Sequence, residues 1–165
     1  MNVSPSVADF TSLALMQPTL KGRDCPSIVT EMSTVLRREG FIADQQVLIE
    51  AVIKRESMIS TVVPPCWAMP HARINGPSRI VFTAGRTPKP VQWGEANQLV
   101  QQVFLFVVPD NDFTSYMLLL SALARLSQDK RASNQLLAAA DAGTMFEFLQ
   151  RVPLRSGTPV SVGGK

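Results

Sequence analysis

Residues Arg55–Arg73 read RESMISTVVPPCWAMPHAR and contain His71, the only histidine of the chain. Pro64, Pro65 and Pro70 punctuate the stretch. Proline lacks an N–H and restricts the residue before it, so no regular element is expected here and His71 is predicted on a loop. Loops on a rigid scaffold are where reactive side chains concentrate. An imidazole titrates near neutral pH and can act as base, ligand or nucleophile. The same ring can equally be a hydrogen-bonded filler, and these residues alone leave both readings open.

Outward from this stretch, the chain alternates helical and extended patterns. Ser27–Gly40 is predicted as a helix introduced by Pro26–Ser27, with Ile28, Met32, Val35 and Leu36 on one face and Gly40 at its cap. Asp44 reads as the N-cap of a second helix running to about Glu56, with Val47, Leu48, Ala51 and Val52 inward and Arg55 near its end. Downstream, Arg79–Thr83 is a short β-prone run, and Arg86–Pro90 (RTPKP) is expected as a turn or extended connection. Val91–Trp93 starts a further short strand. Leu99–Val108 (LVQQVFLFVV) is the clearest strand, its apolar end suited to burial on both faces. Helices are predicted over Ser115–Gln128, Arg131–Ala140 and Thr144–Gln150, with Leu136, Leu137, Phe146, Phe148 and Leu149 in the core. This mixture implies one layered α/β or α+β domain. Its expected extent is residues 26–151, after an N-terminal segment (1–25) whose Phe10–Leu15 can dock, and before a flexible tail (152–165).

Composition narrows the class. With 165 residues, 45% hydrophobic and 18% charged, the chain can bury a core and is not disordered in bulk. A net charge of +3, without a long basic run, gives no nucleic-acid footprint. Arg37–Arg38 and Lys130–Arg131 read as solvated helix faces or ends. Cys25 and Cys66 do not make a disulfide framework, and reduced thiols are expected. No signal peptide is apparent, and no apolar stretch is long enough for membrane insertion. A soluble, cytoplasmic domain is the expectation.

The chemistry converges on few residues. A metal site has no support, because no second histidine exists and Cys66 is a lone sulfur. A Cys66–His71 nucleophilic pair would sit on one proline-broken loop with no third group to orient it. The scattered glycines form no phosphate cradle. Arg55 and Arg73 can bind phosphate bidentately, or can be surface arginines. Trp67 and Met69 read as packing residues.

Taken together, KRESMIST (Lys54–Thr61), AMPHAR (Ala68–Arg73), the strand VFLFVVP and the helix SYMLLLSALARLSQD resemble the EIIA domains of the bacterial phosphotransferase system, fructose/mannitol and nitrogen-regulatory class. The likeness runs from about Ile28 to Leu149. It implies an α/β fold with a mixed central sheet flanked by helices. It also implies a soluble phosphocarrier of sugar phosphorelay or nitrogen-type regulation that needs no cofactor. His71 would accept a phosphoryl group from an HPr-type protein and pass it to an EIIB domain or signal to a regulatory protein, with Arg55 supporting the phosphate. Two positions depart from the family pattern. Tyr116 stands where many members carry a second histidine, and Val62–Trp67, with Pro64–Pro65, replaces a glycine-rich turn, with Trp67 expected to add bulk beside the site. These departures motivate an alternative, a regulatory EIIA-like binding module that has lost efficient transfer. These 165 residues show no EIIB or membrane segment, so a stand-alone unit is the expectation.

Overall fold

Val103–Val108 is the structural centre: all six residues are buried, as a run apolar on both faces requires. A computed structural model describes residues 4–95 and 98–155. In it the run belongs to β6 (Gln98–Val108), in a six-stranded mixed sheet with β1 (Met16–Gln17), β2 (Val62–Val63), β3 (Trp67–Ala68), β4 (His71–Arg73) and β5 (Val81–Trp93). The path is β1-β5-β6-β3-β2, and β4 also pairs with β6. Strand β5 runs antiparallel to β6, whereas β3 and β4 lie parallel to β6 in succession along its length. Helices α1 (Cys25–Arg38), α2 (Gln45–Met58), α3 (Phe113–Gln128), α4 (Lys130–Leu137) and α5 (Ala142–Gln150), with two short 3-10 turns at Val7–Phe10 and Leu13–Leu15, complete the described part. The α/β class with a mixed sheet flanked by helices is therefore the observed one.

Helix ends follow short-range chemistry. Asp24 caps α1 by accepting from the Ser27 N–H at 2.9 Å, so the helix starts slightly before the expected Ser27. Its far end is a Schellman arrangement: Phe41 N–H donates to the Leu36 carbonyl and Gly40 N–H to that of Arg37. Gly40 adopts φ +81° there, which a side-chain-free residue does without strain. Asp44 caps α2 as expected. Val47, expected inward, is 50% exposed, while Leu48 and Val52 are buried. Leu136, Phe148 and Leu149 are buried as expected, and Leu137 and Phe146 are only half-buried.

Two expectations are corrected. RTPKP, expected as a turn or extended connection between two short strands, is extended, and it belongs to one continuous β5. Arg86 pairs with Gln102 and Val91 with Val100, so Thr87–Pro90 faces Gln101 alone and bulges outward. The bulge leaves Pro88 and Pro90 exposed, where no ladder N–H is missed. Second, the tail does not begin at Val152. Val152 and Leu154 are buried, Val7 N–H donates to the Val152 carbonyl, and Leu154 N–H donates to that of Pro5. The N-terminal segment packs likewise, with Val7 and Leu15 fully buried. The expected tail beyond residue 155 lies outside the described residues.

Candidate functional site

The site begins where α2 ends. Glu56 accepts from Thr61 N–H at 2.9 Å, from Thr61 O–H at 2.7 Å and from Trp93 Nε1–H at 3.0 Å. One carboxylate thus ties the helix end to the following turn and to β5. Thr61 in turn offers its carbonyl to Met69 N–H. This is the physical content of the Arg-Glu…Ser-Thr pattern: Glu56 fixes the path that leads to His71.

His71 opens β4 rather than lying on a loop. It pairs with Phe106 in a parallel ladder, where the Pro70 carbonyl accepts from Phe106 N–H. Pro70 lacks a donor but keeps this acceptor, so it can stand directly ahead of a short strand. The imidazole is half-buried. Its Nδ1 lies 3.1 Å from the Met69 carbonyl and its Nε2 3.1 Å from the Tyr116 hydroxyl. A carbonyl only accepts, so the neutral ring carries its proton on Nδ1 and presents the Nε2 lone pair to the Tyr116 O–H. Burial lowers the His71 pKa from its ordinary 6.5, aided by the Arg55 and Arg73 charges, while the Met69 hydrogen bond and Glu56 act the other way. The ring is held neutral, with one nucleophilic nitrogen defined.

Tyr116 is 8% exposed, and its ring is clasped between Phe106 (6.1 Å, edge-on) and Phe113 (6.0 Å, tilted). Burial raises its pKa, against the pull of Arg55 and Arg73, so the phenol keeps its proton and donates. Tyr116 is therefore in direct contact with His71.

Both residues line a cleft of about 590 Å³ between α2, β4 and α3. Three cations, Lys54, Arg55 and Arg73, line it as well. Arg55 Nη1 donates to the Ile59 carbonyl at 3.0 Å, capping α2 while facing the cleft. The structure thus brings His71, Tyr116 and Arg55 to one place. The apolar rim of the cleft includes the exposed Met58, Phe113 and Met117. Phe113 and Met117 were missed in the sequence, although their i, i+4 spacing on α3 marks a stripe that the core does not consume.

The replaced turn lies elsewhere. Trp67 does not stand beside the site. It is fully buried, its indole N–H donates to Ser133 Oγ at 3.1 Å, and its ring packs 5.1 Å from Phe104. Pro64 and Pro65 border α3 and α4 residues and do not line the His71 cleft. Cys66 is half-buried, with a thiol pKa raised by desolvation, and does not line the cleft. Among the described residues no three His, Cys, Asp or Glu side chains are placed to hold a metal ion. Nor is any helix there long and apolar enough to cross a membrane.

Residues 10–152 match the family described as phosphoenolpyruvate-dependent sugar phosphotransferase system, EIIA 2, and the chain belongs to that family, whose members are phosphotransfer components. It is 25% identical over 148 residues to a nitrogen regulatory protein of Bradyrhizobium diazoefficiens, covering 89% of this chain and 96% of that one. It is 25% identical over 133 residues to the fructose-specific EIIABC component of Bacillus subtilis, covering 80% of this chain but 21% of that protein. Among solved structures, nitrogen regulatory protein IIA-Ntr from Neisseria meningitidis superimposes with a TM-score of 0.79 at 22% identity, over 87% of this chain and 98% of that one. Mannitol IIA from Escherichia coli gives 0.69 at 14% identity, over 84% and 97%. At these identities the structural likeness establishes the fold.

Proposed function

We propose that this protein is a histidine phosphocarrier: His71 Nε2 accepts a phosphoryl group from an HPr-type donor and passes it to an EIIB domain or a regulatory partner. The observation that carries the reading is the fixed tautomer, with Nδ1–H on the Met69 carbonyl and Nε2 turned to a cationic cleft. In the transfer, the Nε2 lone pair forms the new N–P bond. The donor's N–P bond breaks and its electron pair returns to the donor nitrogen. The proton stays on Nδ1, which donates to the Met69 carbonyl throughout. Arg55 supplies charge to the phosphoryl oxygens, and Tyr116 O–H turns from Nε2 to one of them. The nitrogen regulatory relative supports a regulatory output, and the EIIABC relative a sugar relay. One solved neighbour at TM-score 0.70 is a complex of mannitol IIA with phosphorylated IIB from Escherichia coli, which supports an EIIB-type acceptor here. Two free cysteines accord with a bacterial cytoplasmic setting.

The test is incubation with a phosphorylated HPr-type protein followed by mass spectrometry. One added phosphoryl group on a peptide containing His71 is expected, and no added mass on the intact protein contradicts the reading. Tyr116→Phe removes one donor to a charged acceptor. It is expected to shorten the lifetime of the phosphorylated form about tenfold.

The rate of acceptance has a defined pH response. The neutral ring is the nucleophile, and its folded pKa is depressed below 6.5. Acceptance therefore persists as pH falls through 6.5 and is lost only below the depressed value. A pH–rate profile of single-turnover phosphorylation, corrected for the donor's own titration, checks this. A lower limb centred above 6.5 would contradict it.

A second reading, a regulatory binding module without efficient transfer, draws on the Tyr116 hydroxyl already seated on Nε2. Partner affinity unchanged by phosphorylation and by His71→Ala would favour it. Rapid, reversible transfer to an EIIB domain would remove it.

A further inference from the structure

On the reading that His71 carries the phosphoryl group, we propose that Arg73 is a second phosphate-binding residue of the cleft, held on the Phe113 ring until that group arrives. Three observations carry this. First, His71 and Arg73 are two apart on β4, so alternation sends both side chains to one face, with the buried Ala72 facing the other way. Their Cα atoms stand about 7 Å apart on an extended strand, a span an arginine side chain covers. Second, Arg73 lines the same cleft as His71, Tyr116 and Arg55.

Third, its guanidinium has no hydrogen-bond acceptor or ion-pair partner among the described residues. The Arg73 Cζ sits 5.0 Å from the Phe113 ring centroid, a cation–π contact that leaves the N–H donors unused. The ion pair found among the described residues joins Arg38 to Glu39, far along the chain from this cleft. Glu56, the acidic group at the end of α2, is occupied by Thr61 and Trp93. An aromatic face orients an exposed guanidinium only weakly, whereas a bidentate phosphate contact binds it more strongly. The ring is therefore a resting place that a dianionic phosphoryl group outcompetes. Arg55, by contrast, already spends one donor on the Ile59 carbonyl. The arrangement divides the work: Arg55 is fixed at the helix end, and Arg73 moves.

The experiment phosphorylates the full chain with an HPr-type donor, removes the donor, and follows loss of the phosphoryl group from the isolated protein. Removing the donor separates phosphate binding from docking. Arg73→Ala is expected to shorten the phosphoprotein lifetime about tenfold, and Arg73→Lys to recover part of it, since an ammonium supplies charge without the fork. The Nε–H resonance of Arg73 should shift on phosphorylation of the wild type, which a merely structural arginine would not do. Equal lifetimes for wild type and Arg73→Ala overturn this proposal and leave the phosphocarrier reading standing. A wild type that takes no phosphoryl group overturns both.

Discussion

His71→Ala is expected to abolish phosphoryl acceptance altogether, because no other imidazole exists in the chain to take over. The fold should survive. The substitution removes a half-buried ring and frees two partners, the Met69 carbonyl and the Tyr116 hydroxyl, each hydrogen-bonded at 3.1 Å. At about 1 kcal/mol for each lost bond, the cost is on the order of 2 kcal/mol, a drop of several degrees in Tm. Far-ultraviolet circular dichroism and a thermal melt check the fold, and mass spectrometry after incubation with a phosphorylated HPr-type donor checks the chemistry. A folded His71→Ala protein that still takes up phosphate would move the acceptor off His71.

The largest stability effect is expected at Trp67, a packing residue as expected but buried away from the site rather than beside it. Trp67→Ala empties a fully buried site against Phe104 and strips Ser133 Oγ of its donor. Large-to-small changes of this kind cost about 3–5 kcal/mol, so Tm should fall on the order of 10 °C. Trp67→Phe keeps most of the apolar volume and loses mainly the Ser133 hydrogen bond, so it should melt only a few degrees lower. Its phosphoryl acceptance per folded molecule should equal that of the wild type, because the indole does not line the cleft. A well-folded Trp67→Phe protein that accepts phosphate poorly would place Trp67 at the site after all.

The helices and the central strand were legible because local rules carry them. Asp44 and Gly40 mark helix ends through hydrogen bonds made within a few residues, and Val103–Val108 is apolar on both faces because both faces are covered. The His71 stretch was harder. Three prolines read as a loop, yet Thr61–Met69, Cys66–Gln101 and Pro70–Phe106 backbone bonds build short strands around them. Gln101 and Phe106 are remote from the stretch in sequence, and tertiary pairing decided against the local signal. The same applies to RTPKP, whose prolines a bulge accommodates at an outward-facing position. At the site, the resemblance singled out His71, Arg55 and Tyr116. The contact between Tyr116 and His71, 45 positions apart, depends on how α3 packs over β4 and β6, which no local spacing encodes. Phe113 and Arg73 meet for the same reason.

The central claim is that Nε2 of His71 forms the bond to phosphorus. Phosphorus–nitrogen coupling in the protein carrying ¹⁵N-labelled histidine, after phosphorylation by an HPr-type donor, tests it most directly. The expected result is one phosphohistidine signal coupled to Nε2, with Nδ1 still protonated against the Met69 carbonyl. Coupling to Nδ1, or phosphate on any other residue, would contradict it.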